Sequence, residues 1–73
     1  MQKAIIVCPI EQKDELINLL QLNDYSFQSL DSNEQLYLIG DIEEYQMNLL
    51  INIIKHYKIV RNKTQLYISY REV

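Results

Sequence analysis

Two residues have side chains suited to covalent or acid–base chemistry and occur once each: Cys8, the only thiol, and His56, the only imidazole. Cys8 precedes Pro9, the only proline, in the run "VCPIEQ" at residues 7–12. A thiol at the start of a helix is acidified by the backbone dipole, and a neighbouring histidine can accept its proton, so these are the residue types of a cysteine nucleophile. A thiol site also requires an oxyanion-binding group and an orienting partner for the base, and close backbone approach to a substrate favours glycine. The chain has one glycine, and free cysteines usually pack as small hydrophobes. Cys8-Pro9 therefore reads as the bend between a strand and a helix. His56 reads as a last-turn residue that complements the negative end of its helix.

Glu11, Asp14 and Glu15, with Asp41, Glu43 and Glu44, have the chemistry of paired carboxylates or a magnesium site. They also fall in the first turns of two helices, where carboxylates are favoured for stability alone. Solvated helix starts are the simpler reading, so no catalytic residue, metal or cofactor is expected. The segment "KHYKIVRNKTQLY" interleaves Lys55, Lys58, Arg61 and Lys63 with Tyr57 and Tyr67. Cations for phosphates and rings for bases make single-stranded nucleic-acid grooves, which makes Lys58, Arg61, Lys63 and Tyr67 one candidate set. Net charge −3 opposes it. The other set is aromatic: Tyr37 on the third strand and Tyr67 on the fourth project from the sheet face opposite the helices, with Tyr25 or Phe27 of the second strand as an added ring and Ser69 and Arg71 beside Tyr67. Tyrosine is large, fairly rigid and half polar, which suits protein contacts.

The elements that position these groups follow from periodicity. "KAIIVC" (residues 3–8) is a short β-branched run, the look of a strand buried on both faces or nearly so. Pro9 fits the first helical position, and Ile10, Leu16, Ile17, Leu19 and Leu20 recur at helical spacing to about Leu22. "NDYSFQSL" alternates Tyr25, Phe27 and Ser29, "LDSNEQ" supplies a turn and "QLYLIG" a second extended run, together a hairpin. Asp41 is the expected N-cap, with Glu44 completing a capping box. Ile42, Tyr45, Leu49, Leu50, Ile53, Ile54 and Tyr57 form the expected buried stripe of a helix from Ile42 to about His56. "KIV" (residues 58–60) reads as loop or a brief extended piece, and "QLYISYREV" as one last strand. Leu66, Ile68 and Tyr70 then share one side of it and Tyr67, Ser69 and Arg71 the other.

Seventy-three residues and 8.8 kDa make a single domain over residues 1–73. Size scaling gives roughly 4,800 Å² of folded surface, about 60 % of the chain's surface being buried. A core that thin makes oligomerisation a route to stability. No apolar run reaches the eighteen or so residues of a membrane span, and the start turns polar too early for a signal peptide, so no membrane role and a cytoplasmic address are expected. One cysteine makes neither an internal disulfide nor a Cys₄ or Cys₂His₂ zinc site. Charge is polarised: nine of ten acidic residues lie between Glu11 and Glu44, and five of seven basic ones in the last nineteen positions.

The order β-α-β-β-α-β resembles the ferredoxin-like fold, which implies a four-stranded antiparallel sheet with two helices on one face. Within it, "YLIGDIEEYQMNLLINII" is similar to the third strand and second helix of PII-like ligand sensors. Their long or glycine-rich ligand loops have no counterpart here. "LYLIGDI" is also similar to the apolar-aromatic strand motif of an RNA-recognition domain, without its partner motif. The resulting expectation is a small non-enzymatic, regulatory interaction module that pairs with itself or a protein target through an aromatic sheet face. Two alternatives stand beside it: an acidic inhibitor, of the sort mobile elements encode, that docks on a host protein, and a nucleic-acid binder using the basic 55–63 segment.

Overall fold

The strand alternation of "KAIIVC" organises the domain. A computed structural model describes residues 1–73 and places Ala4, Ile6 and Cys8 of strand β1 (Gln2–Pro9) fully inside, with Ile5 and Val7 half-buried on the other face. β1 is thus buried on one face only. Pro9 closes the strand in an extended conformation (φ −61°, ψ 148°) rather than opening the helix. A 3-10 turn over Ile10–Gln12 follows, then helix α1 (Lys13–Leu22).

The end of α1 explains why Tyr25 and Phe27 do not enter the second strand. Asp24 adopts a left-handed conformation (φ 65°), the Tyr25 N–H donates to Leu20 O (2.9 Å) and the Asp24 N–H to Gln21 O (3.1 Å). This paired closure turns the residue after it back onto the helix. Tyr25 is accordingly buried in the core, its hydroxyl donating to Gln46 O at 2.6 Å, and Phe27 packs against that core. Strand β2 starts only at Gln28 and runs to Ser32. A two-residue turn at Asn33-Glu34, with Asn33 left-handed (φ 58°), replaces the expected six-residue one and leads into β3 (Gln35–Ile42).

β3 pairs with β1 along its whole length, from Gln2 opposite Ile42 to Pro9 opposite Gln35. Asp41 is held in that ladder by Lys3, so the capping box forms two residues later than expected: Glu43 is the N-cap and Gln46 the returning side chain of α2 (Glu44–Val60). Length explains why α2 absorbs "KIV". An eight-residue strand spans about 26 Å at roughly 3.3 Å per residue, and a helix that returns that distance at 1.5 Å per residue needs about 17. The helix has 17 residues. Of its expected stripe, Leu50 and Ile54 are buried, whereas Tyr45 and Leu49 are exposed.

The expected last strand breaks in two. β4 (Gln65–Ile68) pairs with β1, and Ser69 (φ 52°) and Tyr70 (φ 68°) then make a two-residue turn with both residues left-handed, the geometry favoured in hairpins. β5 (Arg71–Glu72) returns along β4. The architecture is an α+β domain with two helices and one antiparallel sheet of five strands, not four, in the order β2-β3-β1-β4-β5. Leu16 and Leu20 of α1 and Leu50 and Ile54 of α2 join Ala4, Ile6, Cys8, Leu36, Leu38 and Leu66 in one core, so both helices cover the same face. The accessible surface, 5002 Å², agrees with size scaling. No helix is long and apolar enough to cross a membrane.

Candidate functional site

With both helices on one side, the register fixes what stands on the other. Val7 lies opposite Tyr37 on β3 and Gln65 on β4, and Ile5 opposite Ile39 and Tyr67. Leu30 on β2 extends the first row beyond Tyr37. Ile5, Val7 and Ile39 make an apolar floor, and Leu30, Tyr37, Tyr67 and Tyr70 stand around it, enclosing a shallow concavity of about 640 Å³. Leu30 is 57 % and Tyr70 75 % exposed, large values for side chains of their type. The only polar lining is Ser32 and Gln65, and Gln65 Oε1 accepts from the Tyr67 hydroxyl at 3.1 Å. Charge is confined to the margin: the Lys3–Asp41 ion pair (3.1 Å) at one end and Glu72, opposite Tyr67, at the β5 edge.

Tyr37 and Tyr67 both project from this helix-free face. Ser69 and Arg71 do not join them. Ser69 is tied back to β1, its N–H donating to Lys3 O at 2.7 Å and its hydroxyl to Gln2 Oε1. Arg71 lies opposite Ile68, on the helix side of the sheet. Tyr70 and Leu30, with Ile5, Val7 and Ile39, are the members that sequence reasoning passed over. Ile5 and Val7 follow from strict alternation once Cys8 is taken as buried.

Lys58, Arg61 and Lys63 belong to the other layer. Lys58 is in the last turns of α2, and Arg61 caps that helix. Arg61 donates through Nε to Glu15 Oε1 (3.1 Å) and through Nη2 to Oε2 (3.2 Å), a two-pronged pairing. The guanidinium holds the Glu15 carboxyl below its usual range, and the carboxylate raises Arg61 in return. Arg61 and Lys63 line a polar cleft with Pro9, Glu11, Gln12 and Glu15. Beside it, Gln12 Oε1 accepts from the fully buried Thr64 hydroxyl at 2.9 Å and from Tyr57 OH at 3.4 Å. Burial, then Glu15, pushes the Tyr57 phenol upward. The fold thus separates the basic segment from Tyr67, and the interleaving along the chain does not become one groove of cations and rings.

Cys8 and His56 are not assembled either. Cys8 is wholly buried, and burial followed by the nearby Glu11 charge pushes its thiol up to about 11, the opposite of what a nucleophile needs. His56 is exposed, with Nδ1 2.8 Å from Asn52 O of its own helix. No three His, Cys, Asp or Glu residues gather where they could share a metal ion. The α1 and α2 starts lie at opposite ends of β1, which keeps their carboxylates apart. A second apolar depression, about 380 Å³, runs between the helices past Leu19, Leu22, Tyr57 and Val60, with the Glu15–Arg61 pair at its side. No protein-family model, curated protein or solved structure matches the chain.

Proposed function

We propose that this protein is a small non-enzymatic, regulatory interaction module that docks on protein through the helix-free face of its sheet. The observation that carries the reading is the uncharged floor of Ile5, Val7 and Ile39 framed by Tyr37, Tyr67, Tyr70 and Leu30. Interface centres are depleted in charge and enriched in aromatic residues in this way, with charges kept to the rim. The run from β1 to β4 supports a ferredoxin-like unit extended by the β4–β5 turn, a fold whose sheet is covered on one side only. A cytoplasmic setting accompanies the reading, since a lone unpaired thiol is at home there.

The test is photo-crosslinking in cells, with a benzophenone side chain placed singly at Tyr37, at Tyr67 or, as a control on the helix layer, at Tyr45. Protein adducts from the first two positions and none from the third are expected. Adducts from Tyr45 alone would refute the docking face, and nucleic-acid adducts from Tyr67 would replace it with the basic-segment reading.

A further inference from the structure

Resting on that reading, we infer that the occupant of the sheet face is a second copy of this chain, packed face to face about a two-fold axis that runs along β1. Area is the first argument. The 27 residues of the five strands, at about 3.3 Å along the strand and about 4.8 Å across, give about 430 Å² per copy and about 860 Å² for the pair, the size of a weak, reversible interface. The principal extents, 31 × 22 × 22 Å, accommodate that face.

Charge is the second argument. A two-fold axis sets every residue on it beside its own copy, so an isologous face must place no isolated charge there. The axial residues of β1 are Ile5 and Val7, both uncharged, and at the rim Lys3 arrives already paired with Asp41 at 3.1 Å. Two such pairs meeting across the axis form a neutral group of four. The remaining charge, Glu72, sits at the β5 edge opposite Tyr67. A rotation about β1 exchanges the two sides of the sheet and brings Gln28 of β2 over it, an amide that donates to a carboxylate.

Shape is the third. The same rotation sets Tyr37 over Gln65 and Tyr67 over Ile39, large rings against smaller side chains, because Tyr37 and Gln65 share the Val7 row and Ile39 and Tyr67 the Ile5 row. Two equally twisted sheets related by a two-fold axis along their central strand stack about 10 Å apart with an even gap. Leu30 and Tyr70, the exposed large hydrophobic members of the face, stand on its opposite sides and extend the contact to its margins. Tyr70 reaches its place through a left-handed backbone that a tyrosine rarely adopts, a local strain of the kind retained at functional surfaces.

Sedimentation equilibrium of the purified chain tests the inference. The native protein is expected to dimerise at micromolar concentration. Val7→Lys and Val7→Glu, each setting like charges across the axis, are expected to weaken it by on the order of a hundredfold while leaving the circular dichroism spectrum intact. Their equimolar mixture is expected to regain the dimer, because Lys then faces Glu. Tyr45→Lys on the helix layer is expected to change nothing. A native monomer at millimolar concentration, a dimer indifferent to both Val7 variants, or a mixture that stays monomeric would overturn the inference. A monomer that still gives adducts with other proteins from Tyr37 and Tyr67 removes the second copy and leaves the docking face standing; a monomer without such adducts removes both.

Discussion

Gly40 and Phe27 allow packing to be tested at one methyl group. Gly40 lies on the helix side of β3, opposite Ala4, and a Cβ built on it stands 2.5 Å from Phe27 Cε1 and closer still to Cδ1. The ring occupies the place of the missing side chain. Gly40 has no left-handed backbone, so alanine is conformationally allowed there, and the whole penalty comes from displacing the ring. Overpacking of this kind costs about 1–3 kcal/mol, offset by up to about 1 kcal/mol because alanine restricts the unfolded chain. A net loss of about 2 kcal/mol is substantial for 73 residues, whose total stability is roughly 4–11 kcal/mol. With an unfolding entropy of about 0.15 kcal/mol/K for this length, Tm falls by about 13 °C.

The decisive measurement is a double-mutant cycle by urea and thermal unfolding at one fixed protein concentration. Phe27→Ala destabilises by itself through lost contact with the core and with Tyr25, whose ring centroid is 6.0 Å away. Once Phe27 is alanine, Gly40→Ala meets no ring and is expected to be neutral or stabilising by about 0.5 kcal/mol. The coupling between the two sites is therefore about 2 kcal/mol, well above the roughly 0.5 kcal/mol that separates additive from interacting pairs. Equal costs for Gly40→Ala in both backgrounds would refute the account and place the penalty in the backbone.

Other expectations follow from single groups. Tyr70→Asn relieves a left-handed tyrosine worth about 1 kcal/mol of strain without freeing the unfolded chain as glycine would, so the variant should melt about 7 °C higher when compared as monomers while dimerising less well; a lower Tm would contradict the turn geometry. The Cys8 thiol, pushed up to about 11 and fully buried, should react with iodoacetamide at pH 8 only at the rate of opening, and labelling as fast as a free thiol would disprove its burial. Because Arg61 lowers the Glu15 carboxyl, that pair's contribution is present above the ordinary glutamate range and vanishes as pH falls through the lowered value. Arg61→Gln should move the Glu15 titration, followed by NMR, upward toward the ordinary range, and an unchanged titration would rule out the pairing.

Periodicity made most elements legible, because buried stripes on β1, α1 and α2 repeat at their own spacings. What it missed depends on partners distant in sequence. The N-cap lies at Glu43 rather than Asp41 because pairing with Gln2 and Lys3 prolongs β3, and nothing in "GDIEE" announces that ladder. Tyr25 reads as a strand residue until the closure of α1 turns it inward. For the site, Tyr37 and Tyr67 were readable because the rows through Ile5 and Val7 carry their parity. Ser69 and Arg71 were assigned with them by treating residues 65–73 as one strand. The break there falls on Ser-Tyr, a pair without the Gly or Asn that normally marks two left-handed residues, and the reversal moves Tyr70 onto the face and Arg71 off it.

The excess of apolar residues links the fold to assembly. Hydrophobic residues make up 48 % of the chain, yet only 13 of them are buried, since two helices cover a single side of the sheet. Ile5, Val7 and Ile39 are left half-covered. If roughly 60 % of an interface of about 860 Å² is apolar, its burial yields about 13 kcal/mol at 25 cal/mol per Å². Lost freedom on association costs about 4–15 kcal/mol, and ordering tyrosines costs more, so the balance is a weak, reversible dimer. Such a dimer stabilises the folded chain by mass action. Raising protein concentration from the dissociation constant to a hundredfold above it should add about 1 kcal/mol per protomer, or about 7 °C in Tm. Val7→Lys should melt at one temperature across that range, and a native Tm equally indifferent to concentration would mean that the folded domain stands without its copy.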